Sequence, residues 1–133
     1  MSKRSDQLAY PIVGFEDANA GIEWLKKAFG AEEIAVYRDD DGDVAHFELA
    51  FDGAIVMGGT RGVGELAGKV EIGHPTSVYL IVSDPDAHHA RAVEAGAEIV
   101  IPLRDEDYGS RGYTARDPEG NLWSFGTYRP EVG

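Results

Sequence analysis

Apolar and polar side chains alternate through Val44–Phe51, so an extended strand there puts Phe47, Leu49 and Phe51 on one face and His46, Glu48 and Ala50 on the other. The same period of two sets Val78, Leu80 and Val82 opposite Ser77, Tyr79 and Ile81 within a strand over Thr76–Val82. It also sets Trp123 and Phe125 opposite Leu122, Ser124 and Gly126 within a strand over Asn121–Tyr128. Elsewhere the period is helical. Ile22, Leu25 and Phe29 form one stripe behind a cap at Asp17 or Asn19, and Gly30 supplies a left-handed stop. A second helix is expected behind Ser83 or Asp84, with Pro85 in its first turn, Ala87, Ala90, Val93 and Ala97 as its inner face, and Gly96 ending it. Strands over Leu8–Gly14, Glu33–Arg38, Ala54–Met57, Glu98–Pro102 and Arg111–Arg116 complete the reading. Asp41-Gly42 reads as a type I′ turn pair, and turns at Asp52-Gly53 and Asp117–Gly120 close two further hairpins.

These elements occur twice. Ala20 and Ala87 end matching segments 67 residues apart, Gly30 and Gly96 stand 66 apart, and Gly53 and Gly120 stand 67 apart. The chain therefore reads as one α+β domain of two tandem βαβββ modules, over residues 8–60 and 75–129, joined by a glycine-rich connector over residues 58–74. Each sheet has a dry face for its helix and a mixed face. Curving the two sheets together would merge the mixed faces into one half-barrel cleft, the shape of a small-molecule site. The alternative is that His46 and Glu48 lie on a solvated sheet face.

Composition narrows the chemistry. The chain has 133 residues and no cysteine, which excludes disulfides, thiolate nucleophiles and cysteine-bound metals. Its net charge of −12 disfavours nucleic acid and is foremost a solubility feature. No apolar run approaches the roughly 20 residues that span a bilayer, and no signal-peptide core follows Met1–Gln7, so no membrane partner and a cytoplasmic location are expected.

The stretch from Tyr108 to Trp123, with its Asp117-Pro118-Glu119-Gly120 turn, together with the Asp17–Gly30 helix, resembles the glyoxalase/bleomycin-resistance/extradiol-dioxygenase (vicinal oxygen chelate) superfamily. Bleomycin-resistance-like and PhnB-like members are the most similar. The resemblance covers about residues 8–129. It implies a glyoxalase-like cleft, built within one chain or across a homodimer, and in metal-dependent members a set of His and Glu ligands. Tyr10, Glu48, Ser77 and Ser124 fall at those ligand positions, and only Glu48 matches. No metal and no cofactor are expected, since one carboxylate is too few for a catalytic divalent site.

Other motifs carry less. Asp39–Asp43 lacks the spacing of a calcium loop, and Gly59–Gly64 is not a dinucleotide fingerprint. His88 and His89 are adjacent on a helix and read as solvated. Tyr108 on its glycine-bounded loop could close over a ligand, and Tyr113 could stack on one. The expected function is metal-independent binding of a small molecule, an aromatic or cationic antibiotic-like compound, lined by Tyr10, His46, Glu48, Ser77, Tyr79, Tyr108, Arg111, Tyr113 and Ser124. The alternative is a lyase, isomerase or dioxygenase using His46 and Glu48 as an acid–base pair or partial metal site.

Overall fold

The faces that alternation marks as dry are dry: Phe47, Leu49, Phe51, Val78, Leu80, Val82, Trp123 and Phe125 are all buried. The computed structural model describes residues 3–64 and 75–132. Module one runs β1 (Ile12–Phe15), α1 (Ala18–Phe29), β2 (Glu32–Arg38), β3 (Val44–Phe51) and β4 (Ala54–Thr60). Module two runs β5 (Ser77–Ile81), α2 (Pro85–Glu94), β6 (Glu98–Asp105), β7 (Arg111–Arg116) and β8 (Leu122–Gly126). The sheets are ordered β1-β4-β3-β2 and β5-β8-β7-β6, and in each the first strand lies parallel to the last.

Asp17 and Asp84 are the helix caps, accepting bonds from Ala20 N and Ala87 N. Gly30 takes the left-handed conformation that ends α1 (φ 70°). Neither helix covers its sheet alone, and the core is shared. Trp123 of module two stacks on Phe51 of module one, with centroids 5.2 Å apart, and packs beside Phe29. Each hairpin tip also clasps the segment leading into the other module's helix. Asp52 Oδ2 accepts from Ser83 N and Oγ, both at 3.1 Å, and the Glu119 carboxylate accepts from Glu16 N at 2.7 Å and Asp17 N at 3.0 Å. Arg91 on α2 donates to the carbonyls of Lys26 and Lys27, and so caps the C-terminus of α1 with a cation.

Several boundaries differ from expectation. β1 starts at Ile12, not Leu8, because Pro11 has no N–H for the ladder; Leu8 is fully exposed. Gly58 and Gly59 belong to β4 rather than to the connector. A Cβ at Gly58 would collide with the Val13 carbonyl and the Phe47 ring, so this glycine lets β1 approach β4. The connector over residues 65–74 lies outside the described residues. The turn after β2 is not type I′: Asp41 lacks positive φ, Gly42 alone supplies it (86°), and Gly42 N donates to Asp39 O. β6 continues past Pro102 to Asp105 through two register shifts, while β8 spans only Leu122–Gly126. On α2 the expected inner face is wrong. Ala87 and Ala90 are exposed and Val93 is 49% exposed, while Pro85 and Ala92 are buried. The helix carries alanines on every side, so its period does not identify a face.

The β7–β8 turn rests on Asp117, a carboxylate only 3% exposed. Its Oδ1 accepts from Glu119 N and Asn121 N, and its Oδ2 from Asn121 Nδ2 and Trp123 Nε1, all at 2.9–3.0 Å. Removing it strands buried donors beside the largest core residue. Asp117→Ala is expected to cost about 3 kcal/mol in urea unfolding, and Asp117→Asn, which keeps one acceptor oxygen, visibly less.

Candidate functional site

The mixed faces carry two cavities, one per module. Cross-strand pairs fix the module-two face: Tyr79 lies opposite Ser124, Ser124 opposite Thr114, and Thr114 opposite Ile101. A cavity of about 320 Å³ lies over these residues and is walled by Tyr108 and Tyr128 beyond the strands. Tyr79 donates its hydroxyl to Tyr128 O at 2.9 Å, and burial pushes its pKa up. Tyr108 meets Tyr128 edge to face at 5.3 Å. The Thr114 and Ser124 hydroxyls bond each other at 2.7 Å. Arg104, on the rim, is paired with Glu106 at 2.9 Å.

On module one, His46 Nε2 and Glu48 Oε2 are 2.9 Å apart, and Tyr37 stacks on the imidazole with centroids 6.1 Å apart. A cavity of about 740 Å³ lies beside Glu48, lined by Tyr10, Ile34, Ile55, Met57 and the arm Lys3–Asp6.

The structure thus divides the sequence-derived residues. Tyr79, Tyr108 and Ser124 meet around the module-two cavity, and Tyr10 and Glu48 around the other, with His46 bonded to Glu48. Ser77 is exposed at the start of β5, outside both linings. Arg111 and Tyr113 form part of the module-two wall, but their polar ends are engaged elsewhere. Tyr113 pairs with Phe125 and is 3% exposed, so its ring is packed in the core rather than free to stack on a ligand. Arg111 chelates Asp86 with Nε and Nη2 and reaches Asp105 with Nη1. The sequence reading missed Tyr37 and Tyr128. Tyr37 is placed by its cross-strand register with His46, which the period of a single strand does not show, whereas Tyr128 continues the alternation of Leu122, Ser124 and Gly126 and was findable from it.

The repeat also tests the metal set. At the offset of 67, Ser77 corresponds to Tyr10 and Ser124 to Met57, while Glu48 sits one strand away, directly opposite Met57. The corresponding positions therefore hold two serines, a tyrosine and a methionine. Among the described residues no three His, Asp or Glu side chains gather as a metal site would need. This donor set does not fit a divalent metal.

Comparison with known proteins places these features. The family model described as the glyoxalase/bleomycin resistance protein/dioxygenase superfamily matches residues 7–125. An uncharacterized protein of Mycobacterium bovis is 34% identical over 128 residues, covering 92% of this chain and 84% of the relative. The crystal structure of TioX from Micromonospora sp. ML1 is similar with a TM-score of 0.75 at 30% identity, covering 96% of this chain and all (100%) of that one. A glyoxalase-related enzyme from Fulvimarina pelagi shares the fold at 16% identity, with a TM-score of 0.68 over 93% of this chain and 89% of its own.

Behind the module-two face lies a group that the sequence reading placed in solvent. His88 is half-buried, its ring stacked near Phe29 and Phe125 and its Nδ1 2.6 Å from the Tyr113 hydroxyl. Burial lowers its pKa to about 4 and pushes the Tyr113 phenol well up. A depressed imidazole pKa means that the unfolded chain takes a proton first. His88 therefore contributes stability above about pH 6.5 that is lost as pH falls toward 4. The melting temperature of the wild type is expected to drop more steeply from pH 6.5 to 4 than that of His88→Gln, as followed by circular dichroism.

Proposed function

Because the chain belongs to the glyoxalase/bleomycin resistance protein/dioxygenase superfamily, we propose that it is a metal-independent binding protein that sequesters an aromatic or cationic, antibiotic-like small molecule. The observation that carries this reading is the module-two cavity. Its floor holds a Thr114–Ser124 hydroxyl pair instead of ligating carboxylates, and its walls hold Tyr79, Tyr108 and Tyr128. Such a surface offers ring faces and hydroxyls to a planar compound, and the one carboxylate in its lining, Glu106, is engaged by Arg104. Each aromatic contact adds about 0.5–1.5 kcal/mol beyond burial, so several of them with burial reach the roughly 8 kcal/mol of a micromolar complex. The Glu48 carboxylate on the other face suits a cationic end of the same ligand class.

Each cavity is walled by one module and its own terminal segment, and apolar groups on both mixed faces, Ile12 and Tyr79 among them, remain exposed. A homodimer in which the module-one face of one copy meets the module-two face of another would complete both sites. The His46–Glu48 pair supports a second reading, an acid–base enzyme, because an imidazole bonded to a carboxylate can exchange a proton with a bound substrate.

Isothermal calorimetry with bleomycin and a series of planar aromatic cations is expected to give at least one micromolar complex. Tyr108→Ala should weaken it by about tenfold. Affinities no tighter than millimolar across the series would overturn the binding reading, and turnover lost in Glu48→Gln would favour the enzyme. Sedimentation equilibrium is expected to show a dimer at micromolar chain concentration; a monomer throughout would exclude the shared cleft.

A further inference from the structure

The two modules differ where their first strands begin. In module two the Leu122 N–H donates to Thr76 O at 2.8 Å. By the repeat, Ile55 N–H should donate to Ala9 O. Instead a side chain is inserted between them. Ile55 N–H donates to Gln7 Oε1 at 2.9 Å, and Gln7 Nε2 donates to Ala9 O at 2.7 Å and Ile55 O at 2.9 Å. The counterpart of Val78 is Pro11, which has no N–H to offer the Ile55 carbonyl. The Gln7 carboxamide thus stands in for a peptide group that proline removes, using its donor and its acceptor together.

This substitution decides where the chain ahead of β1 lies. Tyr10 donates its hydroxyl to Ser5 Oγ at 2.7 Å, which also accepts from Gln7 N at 3.1 Å. So curled, Lys3–Asp6 borders the cavity beside Glu48, Ile55 and Met57. Side-chain bonds hold the arm, and Leu8, its one large aliphatic residue, is fully exposed. The first backbone bond that joins it to β4 is Met57 N to Pro11 O, at 3.0 Å. No residue of the arm belongs to the buried core, and lifting it leaves that core intact.

We infer that Gln7 is a latch and residues 3–11 a strap, which hinges at Pro11 and opens as a unit to admit a ligand to the Glu48 face. The inference rests on the reading of that face as a ligand face, but the latch has readouts of its own. Met57, the methionine besides Met1, lines the cavity that the strap borders and reports access through its oxidation by hydrogen peroxide. The Ile55 amide reports the latch bond through hydrogen exchange.

In Gln7→Ala the Ile55 amide is expected to exchange about tenfold faster, as loss of one good hydrogen bond implies. Met57 should oxidise several-fold faster, with the amides of Phe47 and Leu49 and the melting temperature unchanged. Gln7→Glu, which keeps the acceptor but loses the donor, should fall between. Wild-type rates at both Ile55 and Met57 in Gln7→Ala would overturn the latch. So would faster exchange throughout β3, because Gln7 would then be supporting the sheet. If Gln7→Ala shows the expected rates while bleomycin and the aromatic cations bind neither protein, the strap stands and the binding reading falls.

Discussion

Each sheet of this protein has four strands and one short helix to cover it, and that shortage of cover governs the rest. A helix of 10 or 12 residues hides only part of a four-stranded dry face. The remainder is filled by rings from the other module, with Trp123 stacked on Phe51 and beside Phe29, and Phe29 at 4.7 Å from Phe125. The modules are therefore joined on their dry sides. Association there removes apolar area that neither half could bury alone, the dominant favourable term in folding. The two carboxylate clasps, Asp52 on Ser83 and Glu119 on Glu16 and Asp17, orient that contact through directional bonds. The mixed faces are left without a helix as a consequence, bordered by the terminal segments, which is why the candidate site exists as two cavities of different chemistry.

That difference is itself a functional constraint. One cavity offers tyrosine rings and a hydroxyl pair, and the other a carboxylate bonded to the His46 imidazole, a thioether and the Tyr10 ring. The residues at the repeated ligand positions do not fit a divalent cation, so on the proposed reading binding energy comes from stacking, burial and charge pairing. The His46–Glu48 pair, which has the makings of proton transfer, sits on the module-one face, apart from Tyr79, Tyr108 and Tyr128.

How much of this is legible in the sequence depends on the period of each element. Strands with one buried face write their structure in alternate letters, so the assignments of Phe47, Leu49, Phe51, Trp123 and Phe125 to the dry side follow directly. The same rule, carried one strand further, places Tyr113 with Phe125 in the core, although its ring reads from the sequence as a group to stack on a ligand. Side-chain hydrogen bonds leave no periodic trace. Gln7 in place of a peptide, Asp117 beneath a turn and the Asp52 clasp are each single letters whose partners lie 2 to 48 residues away. Gly58 was misassigned for a related reason: a glycine that permits close strand approach and one that loosens a linker read alike.

His88 shows how the repeat hides such residues and how it can expose them. Its counterpart at the offset of 67 is Gly21, and the counterpart of Val82 is Phe15. A Cβ on Gly21 would lie 2.8 Å from the Phe15 ring, so module one places a large side chain on the strand and leaves the helix bare at that point. Module two reverses the arrangement, with a small valine just past the end of β5 and an imidazole on the helix. The large side chain is supplied from the strand in one module and from the helix in the other, and each interior stays filled. A histidine is polar by letter, yet here it fills an aromatic-sized slot between Phe29 and Phe125, and the Tyr113 hydroxyl satisfies its Nδ1. Comparing the halves position by position therefore recovers a buried residue that the helical period of α2, blurred by its alanines, does not reveal.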